Sequence, residues 1–185
     1  MSDARSFNAS HDRTILHEGR FVRFVKRGAW EYVERTQELG LVCIVAVTDD
    51  DQLVLVEQHR PPIAAPVIEL PAGLVGDTPG SDPSDLLLGA KRELEEETGY
   101  RAREWEQVAF GPPSAGLTTE MLAVFLATGL EKVGDGGGDD EEDIIVHTVP
   151  LATLDAWCRE AEERGAWIDL KIFAGLWFLD RKRRG

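Results

Sequence analysis

Four carboxylates fall within five residues of the run Arg92-Glu93-Leu94-Glu95-Glu96-Glu97-Thr98-Gly99-Tyr100, which then stops at a glycine. On a helix, Glu93, Glu96 and Glu97 stand at i, i+3 and i+4 and share one face, where like charges repel by a few tenths of a kcal/mol per pair. A hard divalent cation offsets that repulsion, because Mg2+ takes oxygen ligands and is held by carboxylates together with substrate phosphates. A solvated acidic face is the plain alternative. It leaves the glycine stop, the upstream Glu69-Leu70-Pro71-Ala72-Gly73 and the flanking apolar runs unexplained.

Those residues need a frame. Thr14–Leu16, Phe21–Val25 and Trp30–Arg35 alternate and are rich in aromatic and β-branched residues, so they read as short strands with a turn at Arg27-Gly28. Leu41–Val47 is a continuous apolar run of strand length, which predicts burial on both faces. Asp49-Asp50-Asp51 reads as a turn, since it lacks the glycine and distal glutamate of a calcium loop. Leu53–Gln58 and Val67–Leu70 follow as strands. Gly76 to Ser84 is a loop, and a helix runs from about Asp85 to Thr98 with Ser84 as N-cap and Gly99 as C-cap. Leu87, Ala90 and Leu94 are expected on its apolar face, with the glutamates on another. Further strands are expected at Glu106–Phe110, Met121–Thr128 and Ile144–Val149, with a mobile glycine- and acid-rich stretch from Leu130 to Glu142. Helices over Leu151–Arg164 and Asp169–Arg181 close the chain. Strands and helices in this order predict a mixed-sheet α/β/α sandwich.

The length, 185 residues, suits one main domain, and 43% hydrophobic with 29% charged residues is a globular composition. A net charge of −14 gives no footprint for nucleic acid and repels an anionic substrate at long range, so bound cations and local Arg or Lys must supply the attraction. Cys43 and Cys158 have neither metal spacing nor a disulfide framework. The four histidines show no ligand spacing, and no Ser-His-Asp pattern or P-loop occurs. The polar first residues lack an apolar signal core and no apolar run is long enough to span a bilayer, so a cytoplasmic protein without a membrane partner is expected.

The pattern Arg-Glu-Leu-X-Glu-Glu-X-Gly-Tyr at 92–100 resembles the core of the Nudix box, the signature of hydrolases that cleave nucleoside diphosphates linked to another moiety. Glu69-Leu70-Pro71-Ala72-Gly73 fits the upstream element. Between them the chain departs from the family. Gly73 and Arg92 are about five residues further apart than in the family, and Ser84 stands where the box has a glutamate, with Asp82 and Asp85 as neighbouring substitutes.

The resemblance implies a Nudix-type α/β/α sandwich over residues 41–185, preceded by an N-terminal tail and antiparallel strands (1–40) used for dimerisation. It implies Glu93, Glu96 and Glu97 as metal carboxylates and the Ala72 carbonyl as a further ligand, with Mg2+, or alternatively Mn2+, as the cation. Arg92 would hold the box carboxylates, with a plain surface ion pair as the alternative. Glu142, ahead of Asp143-Ile144-Ile145-Val146-His147, resembles a late acidic group of ADP-ribose hydrolases that ligates metal or orients the attacking water, with Asp140 and Glu141 competing for the base role.

Glu57-Gln58-His59-Arg60 resembles an element of the sugar-nucleotide hydrolases in which Arg60 meets phosphate. Glu69 is expected at the terminal ribose or a metal-bound water, and Glu120 in a loop near substrate. Trp30 is expected to stack on a base across a homodimer with exchanged strands, or else to pack in the core. The proline that ADP-ribose members carry past the box glycine is replaced by Ser114 or Ala115, next to Pro112 and Pro113. The implied activity is hydrolysis of the pyrophosphate bond of nucleoside diphosphate sugars, foremost ADP-ribose to AMP and ribose 5-phosphate. GDP-mannose or broad sugar-nucleotide hydrolysis is one alternative, and a catalytically silent ADP-ribose sensor is the other.

Overall fold

A computed structural model describes residues 13–76, 80, 82–138 and 143–185. Their contacts divide into two compact units, residues 1–38 with 112–121, and residues 39–111 with 122–185.

In the first unit, β1 (Arg13–Glu18), β2 (Val22–Arg27) and β3 (Trp30–Arg35) form an antiparallel meander in the order β1-β2-β3. The loop 112–121 lies along β3. Val33 N–H donates to the Leu117 carbonyl at 2.8 Å, and Arg35 pairs with Glu120 at 2.7 Å.

The second unit holds two four-stranded sheets. One runs β7-β4-β9-β8 and the other β10-β5-β6-β11. The strands are β4 (Gly40–Ala46), β5 (Gln52–Arg60), β6 (Ala65–Glu69), β7 (Ala72–Val75), β8 (Tyr100–Gly111), β9 (Leu122–Lys132), β10 (Ile145–Pro150) and β11 (Trp167–Ile168). Pairings β4–β9 and β6–β11 are parallel and the rest antiparallel, so both sheets are mixed. Helices are α1 (Leu86–Thr98), α2 (Leu154–Glu163) and α3 (Lys171–Arg184).

The unbroken apolar run of β4 has the expected cause, since both its faces are covered. Val42, Ile44 and Ala46 pack in one cluster with Ala90 and Leu94 of α1. Cys43, Val45 and Val47 pack in another with Cys158 and Ala161 of α2 and Ile172 and Leu179 of α3. Helices thus lie on both sides of the strands, as the α/β/α reading requires. Both cysteines are free and buried. His147 pairs with Glu57 at 2.8 Å and stacks edge-on against Trp157.

Several expectations change. Short β7 and β11 fall where the sequence gives no strand-length run, and β8 begins at Tyr100, directly after the α1 cap, because its alternation is masked by charged residues on an exposed face. The α1 N-cap is Asp85, whose side chain accepts from Leu88 N–H at 3.1 Å, while Ser84 instead donates to Asp82. Leu87 is exposed; the buried side of α1 carries Ala90, Glu93, Leu94 and Glu97, so two glutamates share the apolar face.

The stretch after Leu130 is ordered through Gly138. Gly137 N–H donates to Glu97 O at 2.8 Å and Gly138 N–H to Glu96 O at 3.1 Å, while Val133 N–H and Gly134 N–H both reach Gly99 O. The last turn of a helix exposes carbonyls without intrahelical donors, and this strap supplies them. Lys132 Nζ completes the set on Thr98 O at 2.7 Å. Gly136 (φ 73°) fits because a Cβ there would lie 2.4 Å from the Thr98 carbonyl carbon.

Candidate active site

The site is built where α1 meets the segment joining β6 to β7. Ile44 N–H donates to Pro71 O at 2.8 Å, and Cys43 pairs with Ala72 in the β4–β7 ladder, so the Pro71–Gly73 backbone is fixed to a central strand. Ala72 N–H donates to Glu97 Oε2 at 3.0 Å. Glu97 is 2% and Glu93 9% exposed. Gly73 makes room for Glu93, since a Cβ at that position would stand 2.1 Å from the Glu93 carboxylate carbon. One Arg92 nitrogen donates to Leu74 O at 2.7 Å and to Glu93 Oε1 at 2.5 Å; another lies 3.9 Å from Glu96. The arginine therefore ties α1 to β7 and sets the Glu93 carboxylate.

The four-carboxylate run is thus divided by the helical turn. Glu93 and Glu97, four residues apart, face inward. The Glu96 side chain is 51% exposed at the flank. Glu95 faces β8, where Arg101 grips it through two nitrogens at 2.7 and 2.6 Å and holds its carboxyl below the usual range. Glu69, at the end of β6, is also buried, and Arg60 of β5 meets it at 2.6 Å. Arg60 keeps a side-chain exposure of 39%, so its guanidinium is reachable from solvent.

These residues bring together Ala72, Glu93, Glu97 and Arg92, with Glu96 beside them; Arg60 and Glu69 form their own pair in the same unit. Trp30 and Glu120 belong to the first unit. Trp30 is 57% exposed there, which removes core packing as its role, and Glu120 is engaged by Arg35, a partner that no motif in the sequence singles out. Asp140, Glu141 and Glu142 lie outside the described residues. The strap at 133–138 was also missed, since glycine and acid content read as mobility; the signal available was the clustering of glycines shortly before a strand.

Among the described residues, no three acidic, imidazole or thiol groups stand together as a ready-made metal cage. The donor set still fits Mg2+, which keeps several waters and is bound through one or two carboxylates plus substrate phosphates. Buried Glu93 and Glu97 beside Ala72 and Gly73 at the start of β7 provide that partial shell of hard oxygens.

A fold with this helix and turn defines a class, and comparison with known proteins agrees. Residues 39–174 match the NUDIX domain family, so the chain belongs to that family. It is 32% identical over 143 residues to the ADP-ribose pyrophosphatase of Bacillus subtilis (strain 168), covering 77% of this chain and 73% of that protein. Over 120 residues it is 37% identical to the ADP-ribose pyrophosphatase of Mycobacterium tuberculosis, covering 64% of this chain and 56% of that one. A Bacillus methanolicus protein named methanol dehydrogenase activator is 36% identical over 106 residues, or 57% of this chain; the match spans about half of that relative, 55%. Among solved structures, a protein described as an ADP compounds hydrolase shares the fold with a TM-score of 0.69 at 18% identity, covering 94% of this chain and 92% of that one.

Proposed function

We propose that the protein is a Mg2+-dependent pyrophosphohydrolase of nucleoside diphosphate sugars, with ADP-ribose as preferred substrate and AMP and ribose 5-phosphate as products. The observation that carries this reading is the burial of two like-charged carboxylates, Glu93 and Glu97, against the start of β7, where Gly73 leaves room for nothing larger. Buried charges need a counter-charge, and a divalent cation shared by the two carboxylates would add one. Relatives named ADP-ribose pyrophosphatase support the substrate class.

A bound divalent cation would neutralise the diphosphate oxygens and make water a stronger nucleophile at neutral pH. Glu93 and Glu97 would hold it, with Glu96 and the Ala72 carbonyl completing the protein's share. The chain's own residues then have distinct tasks. Ala72 N–H fixes the Glu97 rotamer and Arg92 that of Glu93, so neither must reorganise when substrate arrives. Arg60 offers the diphosphate a guanidinium in a strongly acidic chain, with Glu69 aiming it. Glu142 is our choice for orienting the water or adding a ligand, with Asp140 and Glu141 as its rivals, because the run Glu142-Asp143-Ile144-Ile145-Val146-His147 resembles the late acidic element of ADP-ribose hydrolases.

The decisive experiment is phosphate release through a coupled phosphatase from ADP-ribose, GDP-mannose, ADP-glucose, diadenosine polyphosphates and nucleoside triphosphates, each with Mg2+ and with EDTA. Metal-dependent cleavage strongest for ADP-ribose supports the proposal. Preference for another sugar nucleotide moves the substrate and keeps the mechanism, and binding of ADP-ribose without cleavage replaces the enzyme with a sensor.

We also propose a homodimer through the first unit, which exposes Phe21, Val22, Phe24 and Trp30, and through which Trp30 and Glu120 would reach substrate. A monomeric mass by light scattering at micromolar concentration overturns that part. Two unpaired buried thiols suit a reducing compartment, so we place the protein in the cytoplasm.

A further inference from the structure

Glu97 occupies the weakest part of its helix. It is the last residue but one of α1, with Glu96 just before it. Helix ends fray, and the last carbonyls of a helix have no donor within it. Glu93 lies one turn further in. A site shared between Glu93 and Glu97 keeps its spacing only while that last turn stays wound.

The chain closes the turn from outside. Four consecutive carbonyls, Glu96 to Gly99, accept from the segment 132–138. Gly138 N–H donates to Glu96 O at 3.1 Å and Gly137 N–H to Glu97 O at 2.8 Å, while Val133 and Gly134 N–H share Gly99 O at 2.8 and 3.1 Å. Thr98 O differs, because its donor is a side chain, Lys132 Nζ at 2.7 Å. The same ammonium donates to Asp135 O at 3.3 Å and stands over the Tyr100 ring, 4.6 Å from its centroid. One charged group therefore joins the end of α1, the start of β8 and the turn of the strap. A cation suits that place, since the C-terminus of a helix carries partial negative charge. Thr98 is fully buried and Lys132 is exposed, so the clamp can be altered without cutting into the core.

We infer that Lys132 is a positioning residue for the carboxylate site. It clamps the 133–138 strap onto the last turn of α1 and so holds Glu96 and Glu97 in place relative to Glu93. This rests on the proposed metal, but its first readout does not need turnover. Three roles for Lys132 differ in what its loss does. A plain helix cap would lower the thermal midpoint and leave metal affinity untouched. A bare positive charge in an acidic chain would, once removed, tighten cation binding. Loss of a positioning clamp weakens it.

The test is Mn2+ binding to the substrate-free protein well below its thermal midpoint, followed by electron paramagnetic resonance of the unbound ion, for Lys132→Met, Lys132→Arg and Lys182→Met. Lys182 pairs with Glu106 on the surface, so its variant makes the same change in net charge away from the end of α1. Lys132→Met is expected to weaken Mn2+ binding about three- to tenfold, the scale of a cation's contribution at a helix C-terminus. Lys132→Arg keeps the charge and the donors and should recover most of that loss, while Lys182→Met should match the parent. Hydrogen exchange at the Gly137 and Gly138 amides should quicken in Lys132→Met as the strap loosens. With ADP-ribose, the Mg2+ concentration giving half-maximal rate should rise by a similar factor, with KM at saturating Mg2+ within about twofold of the parent. Unchanged or tighter Mn2+ binding in Lys132→Met, or an equal loss in Lys182→Met, overturns the inference. Where Lys132→Met does not fold, Lys132→Gln removes the same charge and gives the same reading. If the parent binds Mn2+ but cleaves no sugar nucleotide, the functional proposal fails while the Mn2+ comparison still decides this one.

Discussion

Two acidic clusters in this chain look alike on paper and behave differently in the fold. The Asp49–Asp51 turn and the α1 glutamates each concentrate negative charge. In the turn every carboxylate finds a cheap partner near water: Asp50 accepts from Thr48 Oγ1 at 2.6 Å and from Gln52, Asp51 meets Arg183, and Asp49 lies 3.5 Å from Arg103. Asp49 and Asp51 stay more than two-thirds exposed, so their charges are screened by solvent and salt. On α1, Glu93 and Glu97 are withdrawn from water, and Glu93 rests on strand β7 where a single methyl group on Gly73 would take its space. Charge density does not distinguish a turn from a site. The cost of keeping the charge ionised does, and that cost follows from burial.

The comparison breaks most visibly at Glu97. Glu97→Gln should lower kcat on the order of a thousandfold, the upper scale for losing one group that stabilises developing charge, with circular dichroism unchanged. Retained activity with normal metal dependence would remove Glu97 from the ligand set.

Gly73→Ala should come next. Its methyl group would displace the Glu93 carboxylate, at about 1–3 kcal/mol of stability for overpacking, and turnover should fall much further than that loss implies. Wild-type kcat in a folded variant would show that Glu93 need not lie against Gly73.

A subtler break is Gly136→Ala, which drives a Cβ into the α1 terminus. Gly80→Ala has similar backbone strain (φ 85°) but no atom within 4 Å of the new Cβ. The first should lose both thermal stability and kcat; the second should lose stability alone, about 1–3 kcal/mol for a strained non-glycine residue. Equal effects on kcat would mean that the strap does not serve the site.

Smallest of all is Asp50→Ala. Hydrogen bonds from Thr48 and then Gln52 hold the Asp50 carboxyl below its ordinary value. A depressed folded value stabilises above the unfolded one, near 3.8, and the benefit disappears as pH falls through the folded value. The thermal midpoint of the variant should therefore trail the parent slightly at pH 6 and converge with it in strong acid. A gap that widened in acid would contradict the sign.

The corrections follow the same division. The sequence located the helix of the site from carboxylate spacing and a stop glycine, and predicted the covered strand β4 from its unbroken apolar run, because both signals are local and periodic. It placed all the glutamates of α1 away from the apolar face, since periodicity counts a carboxylate as polar whatever it meets. Only packing reveals that Glu93 and Glu97 turn toward the interior while Glu95 is taken by Arg101 of β8.

By itself, then, the sequence determined the fold class, the Nudix resemblance and which acids could bind metal. Tertiary structure decided which of those acids are buried, that residues 133–138 close the end of α1, and that β11 joins the edge of β6. Each of these depends on contacts between residues distant in the chain, where an unsatisfied helix carbonyl or a parallel strand register chooses its partner. No short window of sequence carries that choice.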